Sequence, residues 1–505
     1  MKTLLLNFWH KNPAFLYGLA ALIGASGALY SLHILILPFA ILCLSLIFNW
    51  RRLFLMCAVA SGTFVYTGTL YQNPALPEEG VVGIADVSFS SISESSTHFG
   101  KRWMYKGIIL QFDGEDHHYQ RLPITLTLPV KKEVQRPEAN HSYRIKGRLK
   151  SRGSGRYLFI PSKGEPWFPL VGTWSAAEGR FQAKQTIAHY IQRHIADRRV
   201  ATFLAGVTTG DFDDKLMTVE FGRFGLQHIM AISGFHFAIT ASVFGFFLRF
   251  LLGRQAATIC LIFLLTLYCL FLGGSASVVR AWMMVLIILC GLALRRSGGS
   301  GINALGLALF ILVLWDPINV TGLGFQFSFV TTAAILLLFE TLDHCLGDVF
   351  TQRYLFETVR MDKWNQHAYC ILTGFRQALA LTLAVNVVAL PMTLFYFQKF
   401  PLLSLLYNLF FPFLVSISML LLIIGLMLFM IPGISAIVHL INTHYTHFVL
   451  SFTQSMPPQV DIVWYVPEFS AVWVIGYLSL LLVLGILLKE CLSNNNIKIK
   501  LFIFS

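Results

Sequence analysis

The sequence predicts a polytopic α-helical membrane protein of about 11–12 transmembrane helices interrupted by one β domain. Three observations predict it. Of 505 residues, 56% are hydrophobic and 12% charged, where soluble domains carry roughly a quarter charged residues, so a soluble globular chain is excluded. Apolar runs long enough to cross a bilayer, about 20 residues each, recur along most of the length. One stretch breaks the pattern: from about Tyr71 to Arg199, Gly, Pro, Ser and charges return.

Residues 1–71 read as an N-terminal anchor of three spans, beginning near Ala14, Ser31 and Leu53. The first, after Lys2 and Lys11, has the small residues of a signal-peptide cleavage site, but two more spans follow at once, so it is expected to stay as an anchor. Residues 72–173 read as strands: VVGIADVSFS, Arg102 to Phe112, Tyr119 to Leu128, SYRIKGRL and RYLFIP, alternating and bounded by turn residues. About five strands is the count of a small OB-like β-barrel. Residues 174–225 read as amphipathic interfacial helices, with Phe181, Ile187, Ile191 and Ile195 apolar among polar neighbours. The core, 226–490, holds apolar segments around 226–252, 255–272, 278–294, 302–315, 325–340, 371–396, 402–431, 433–455 and 471–488, and 491–505 form a tail. The segment carrying His439, His444 and His447 is the weakest.

Charge orients the chain. With the N-terminus in the cytoplasm, Arg51–Arg52, Arg249 with Arg254, Arg295–Arg296, the loop with Arg353, Arg360 and Lys363, and the tail with Lys489, Lys498 and Lys500 all fall inside, as short basic loops do. The loops GGSAS, DPINVTG and Met456 to Ser470 fall outside without Lys or Arg, Lys399 being the exception. The β domain is then expected outside the cytoplasm. Between Gln72 and Val200, 19 Lys and Arg stand against 12 Asp and Glu, a net of +7 out of the whole chain's +13, so an acidic partner is expected there.

Polar residues within the spans are the candidate site. On a helix Ser233, His236 and Thr240 fall within about 60° and His228 about 80° further; the arc suits a pore-lining or catalytic face, and equally a set of interhelical hydrogen bonds with Gly234 allowing close packing. A Ser233 nucleophile with His236 as base lacks a visible third group. Asp211 has the position of a helix N-cap. Arg280 either faces a channel mouth or snorkels to the interface. Thr382, Asn386 and Thr393 form a polar stripe, with Pro391 freeing a carbonyl one turn earlier. Gln326 and Ser328 do not share a face, and Asn408 is ambiguous. His444 and His447 have metal-ligand spacing without an accompanying carboxylate, and Asp113, Glu115, Asp116, His117 and His118 read as a solvated hairpin tip. Neither a metal site nor a cofactor is predicted: there is no CxxC pair, no HxHxDH cluster, no GxGxxG fingerprint and no GxxxxGK[ST] loop, which excludes a P-loop ATPase. The cysteines sit mostly in apolar runs as small hydrophobes.

The order QHIMAISGFHFAIT, SASVVRAWMM, LWDPINVTGLGFQFSFVTTAAILLL and AVNVVALPMTLFYFQKFPLLSLLYNLFFPFLV closely resembles the competence segment of the ComEC family, and the preceding domain looks like that family's periplasmic OB domain. The resemblance covers about Gln72 to Met430. It implies a channel translocating single-stranded DNA across the bacterial inner membrane in natural transformation, lined by His228, Ser233, Gly234, His236, Arg280, Gln326, Asn386 and Pro391. The implied partners are single-stranded DNA, the lipid bilayer, a periplasmic DNA receptor, a separate nuclease and a cytoplasmic helicase or motor. Many members end in a metallo-β-lactamase-like nuclease domain; this sequence is expected to be a short form without it, and not an enzyme. The basic residues Lys101, Arg102, Lys106, Lys146, Arg148, Lys150, Arg152 and Arg156 suit phosphate contacts. The interleaved Trp103, Tyr105, Phe112, Tyr143, Tyr157 and Phe159 suit either base stacking or filling the barrel. The rival readings are a small-solute or lipid-linked permease and an intramembrane hydrolase using Ser233 and His236.

Overall fold

The computed structural model describes residues 2–30, 32–71, 76–97, 100–114, 117–130, 136–152, 156–212, 214–230, 234–293, 300–350, 353, 355–455 and 462–493. Four helices come first: α1 (Lys2–Lys11), α2 (Pro13–Leu29), α3 (Ile36–Leu46) and α4 (Trp50–Leu70). Six strands follow, β1 (Val81–Thr97), β2 (Gly100–Gly114), β3 (His118–Pro129), β4 (Tyr143–Ser151), β5 (Tyr157–Pro161) and β6 (Phe168–Pro169). The chain then returns to helix with α5 (Ala177–His194), α6 (Arg198–Thr209), α7 (Lys215–Arg223), α8 (Gln227–Met230), α9 (Gly234–Leu272), α10 (Ala276–Ala293), α11 (Gly301–Trp315) and α12 (Leu323–Val349). The last elements are α13 (Leu355–Val359), α14 (Lys363–Phe397), β7 (Lys399–Pro401), α15 (Ser404–Met427), α16 (Pro432–Ser455), β8 (Val463–Tyr465) and α17 (Ala471–Ser493).

The protein is a polytopic helical membrane protein with an inserted β domain. Seven described helices, α4, α9, α10, α12, α14, α15 and α17, are long and apolar enough to cross a membrane, and the count is eight if α1 and α2, meeting at a 93° bend, are taken as one span. This is fewer than the 11–12 expected, for identifiable reasons. Residues 226–252 and 255–272 were expected as separate spans; α9 runs through both and turns at Gly253, whose φ of 73° only glycine adopts readily. The helices 33–46 and 301–315 are apolar but short. The first span is broken at Asn12–Pro13, where Pro13 opens α2 at a position that needs no N–H. α16, the segment read as weakest, falls outside the group. The outward helical faces are rich in Phe, Leu and Ile, among them Phe246, Phe250, Phe263 and Leu480, as lipid contact requires.

In the β domain the strands close on themselves. β1 pairs antiparallel with β2, β2 with β3, β3 parallel with β5, β5 antiparallel with β4, and β4 with β1 again. The inward residues of β4 (Tyr143, Ile145, Gly147, Leu149) are buried and the intervening Arg144, Lys146 and Arg148 exposed, the period of two that strand geometry imposes. Tyr105, Phe112, Tyr143, Tyr157 and Phe159 all lie in the barrel core, and Trp103 packs edge-on against Phe181. Of the two roles left open for these aromatics, filling the barrel is the one the structure assigns.

The stretch expected as interfacial helices breaks at Ile195 into α5 and α6. α5 closes the barrel with Ala177 and Phe181. α6 buries Phe203, Leu204 and Val207 in a core shared with α15 and α16. The N-cap expected of Asp211 belongs instead to Asp214, which accepts from Met217 N–H at 3.1 Å; Asp211 pairs with Lys184 at 3.2 Å.

A buried arginine between α9, α10 and α12

Gly273–Gly274, the tight turn between α9 and α10, sets Arg280 about one turn into α10, facing α12. Its side chain is 7% exposed. Nε donates to Ser328 Oγ at 2.7 Å, and Ser328 Oγ lies 3.2 Å from Ser277 Oγ. No carboxylate among the described residues pairs with it. α9 starts beside the guanidinium: a Cβ on Gly234 would stand 2.5 Å from Arg280 Nη2, so glycine at 234 is what admits the cation. A buried cation with hydroxyl neighbours and no counter-ion is costly unless water or an anion reaches it.

Beside this group, His236 is buried near the start of α9 and its carbonyl accepts from Thr240 Oγ1 at 3.0 Å. His228, on α8, keeps accessible surface. Its Nδ1 lies 3.3 Å from Gly225 O, and it stands near His236. Gly234, Arg280, His228 and His236 thus share one region. Ser233 lies outside the described residues, so the hydrolase arrangement has no described nucleophile.

The other expected lining residues stand elsewhere. Gln326 faces away from Ser328 on α12, as their spacing requires; its Nε2 donates to Val320 O at 3.0 Å and its Oε1 accepts from Tyr396. Asn386 donates to Thr382 O at 2.8 Å within α14, a local bond that brings it to none of the other lining residues. Pro391 sits inside α14.

Of the cations expected to hold DNA, Lys146, Arg148 and Lys150 follow one another along β4, Lys146 pairing with Glu165 at 3.3 Å. Arg102 is exposed on β2, and Lys101 beside it pairs with Glu94 at 2.6 Å. Lys106, Arg152 and Arg156 are set apart, turned toward the helices at the mouth of a cavity. The barrel meets the bundle at the loops assigned to the outside: Arg180 donates from Nη1 to Ser90 O and from Nε to Leu270 O, both at 2.8 Å, and Tyr71 to Asp316 at 2.6 Å. The ion pairs Lys11–Glu490, Lys489–Glu340 and Arg376–Asp343, at 2.9, 3.0 and 2.8 Å, join segments assigned to the other side.

One contact escaped sequence reading. Asp197, far from α16 in the chain, takes His447 Nδ1 at 2.7 Å and supplies the carboxylate those histidines lacked. Among the described residues, no group of three or more His, Cys, Asp or Glu stands together as a metal site.

The fold and site define a multi-pass membrane protein whose bundle holds a cation without a counter-ion among the described residues, joined to a basic β domain. Residues 211–490, more than half of the chain, match the family model described as Competence protein, and the chain belongs to that family. Over 202 residues, 39% of this chain, it is 27% identical to ComE operon protein 3 of Bacillus subtilis (strain 168). The aligned part spans only 22% of that protein's length. No solved structure matches the chain.

Proposed function

We propose that this protein conducts a single strand of DNA across the bacterial inner membrane during natural transformation, without itself catalysing a reaction. In this reading both termini are cytoplasmic and the β domain is periplasmic, the side without arginine-bearing loops. The β domain is an OB barrel, a reading supported by its ring order and by the parallel β3–β5 pair. The strand is first held by Lys101, Arg102, Lys146, Arg148 and Lys150 and then passes into the bundle by Arg280. A periplasmic receptor delivers the DNA, a separate nuclease removes the other strand, and a cytoplasmic helicase or motor draws the strand in.

Arg280 carries this reading. A solute permease or a purely structural helix contact would neutralise a buried guanidinium with a carboxylate. A path for a moving polyanion must instead leave it free to exchange partners, since conduction needs binding weak enough to release. His228 and His236 then offer neutral donors deeper in. The test is an import assay in a transformable host carrying Arg280→Gln, with membrane abundance measured beside it. Import is expected to fall by about tenfold or more, the loss of one charge-assisted contact, at unchanged abundance. Normal import by that variant sinks the proposal.

A further inference from the structure

Between the barrel and the bundle lies a cavity of about 1070 Å³, at the upper end of the range for sites that enclose small molecules. Its depth is apolar: Leu22 on α2, Pro38 on α3, Leu309 on α11, Val330 on α12, Val388 on α14 and Leu478 on α17 all line it. Its charged lining residues are Lys106, Arg152 and Arg156, all from the barrel. They stand with Tyr30, Gln326 and Tyr396 at the end where α2 finishes and α12 begins. Arg156 stands near Tyr30, and its Nη2 would lie 3.7 Å from a Cβ on Gly322. Lys101, Arg144 and Lys146 elsewhere on the barrel each have a carboxylate partner. Lys106, Arg152 and Arg156 have none among the described residues.

The cavity is therefore amphipathic, with cations and hydroxyls at one end and hydrocarbon below. A strand of phosphates finds no donors in that depth. An amphiphile with an anionic head fits both halves. We propose that the cavity holds an anionic diacyl phospholipid, its phosphate on Lys106, Arg152 and Arg156 and its chains between α2, α3, α12 and α17. Because the bilayer offers acyl chains equally apolar surroundings, the head charge selects the occupant, as in other basic pockets between membrane helices. The lipid joins Arg152 and Arg156 to the bundle and fills the space beneath them. The site is separate from the Arg280 region and does not depend on DNA conduction.

The test uses the full chain in a neutral detergent, following thermal unfolding against added phosphatidylglycerol, phosphatidylcholine or inorganic phosphate. Phosphatidylglycerol is expected to raise the midpoint saturably, with an apparent affinity about tenfold tighter than phosphatidylcholine, while phosphate alone does nothing at the same concentration. Arg152→Gln with Arg156→Gln should abolish the preference. Lys106→Gln, on an exposed strand position, should weaken it without disturbing the fold, and native mass spectrometry should find anionic lipid on the wild type and not on the double variant. Equal effects of the two lipids, an equal effect of free phosphate, an undiminished preference in the double variant, or displacement of phosphatidylglycerol by a single-stranded oligonucleotide would each overturn the proposal.

Discussion

Arg136 and Glu178 form a two-armed pair, Nη2 to Oε1 at 2.6 Å and Nη1 to Oε2 at 2.9 Å, that fastens the first turn of α5 to the rim of the barrel. The guanidinium also lies over the rings of Trp103 and Phe181, at 5.2 and 4.6 Å, and Glu178 Oε2 accepts from Ala139 N–H at 3.0 Å. Burial by itself would raise the Glu178 carboxyl, but Arg136, Ala139 and Gln182 together hold it below its ordinary value of 4.5.

A carboxyl depressed in this way contributes stability that is present above its unfolded value and lost as pH falls through the folded one. The β domain is therefore expected to weaken as pH drops below about 4.5, and Glu178→Gln should lack that part of the decline. Arg136→Leu leaves a buried carboxylate without its partner and should cost about 3 kcal/mol at neutral pH. Unfolding of the full chain, followed by barrel tryptophan fluorescence across pH, checks both. An identical pH profile for Glu178→Gln would count against the pair.

Gly234→Ala separates positioning from folding. Its Cβ meets the far end of a flexible side chain, Arg280 Nη2 at 2.5 Å, so the guanidinium swings aside at a stability cost of about 1 kcal/mol, the low end for overpacking. DNA import should fall nearly as far as in Arg280→Gln, and the two substitutions together should lose little more than either alone. Additive losses would show that the residues act separately.

Reversing Lys146, Arg148 and Lys150 to Glu should abolish most single-strand binding by the full chain. With about four phosphates neutralised, log affinity of the wild type should fall against log salt with a slope near −3, at about 0.7 per contact. The triple variant should give a visibly flatter line. Filter binding between low and physiological salt measures it, and a wild-type slope near zero would remove the barrel from DNA capture.

α2 and α11 touch backbone to backbone. A Cβ on Gly18 would lie 2.4 Å from Gly306 O, and one on Gly306 would lie 2.2 Å from Phe15 Cα. Neither neighbour is a movable side-chain end, so Gly306→Ala must separate the helices. A loss of about 2 kcal/mol is expected, read as a lower unfolding midpoint in detergent and lower membrane abundance.

Much of this was legible before the structure. Alternation placed all five barrel strands, because a closed sheet buries every second residue, and the divergent faces of Gln326 and Ser328 followed from helical spacing alone. What stayed hidden depends on residues far apart in the chain. Asp197 and His447 meet across 250 positions, and nothing near either announces the other. Ser328 becomes a partner of Arg280 and of Ser277 only once α10 lies against α12. Asp214 rather than Asp211 caps α7 because Gly210, with φ at 77°, ends α6 one residue earlier in a left-handed turn, which leaves Asp211 free to reach Lys184. The expected convergence of Asn386 with Arg280 rested on the assumption that polar stripes face a shared space, and Asn386 Nδ2 donates instead to Thr382 O on its own helix.

The ring of strands also sets a timetable for synthesis. β1, β2 and β3 follow one another with short connections and can pair as soon as they leave the ribosome and translocation machinery. The second edge of β1 has to wait for β4, where Ala85 meets Ile145, and β3 waits for β5. Until those later residues arrive, two strand edges stand open beside a hydrophobic interior, the condition in which a nascent sheet pairs with the wrong chain. Closure is consequently the slow, long-range step of the domain's assembly, and a pause in elongation before about residue 161 would leave the nascent domain exposed to aggregation even though the finished ring is closed by the β1–β4 and β3–β5 pairs.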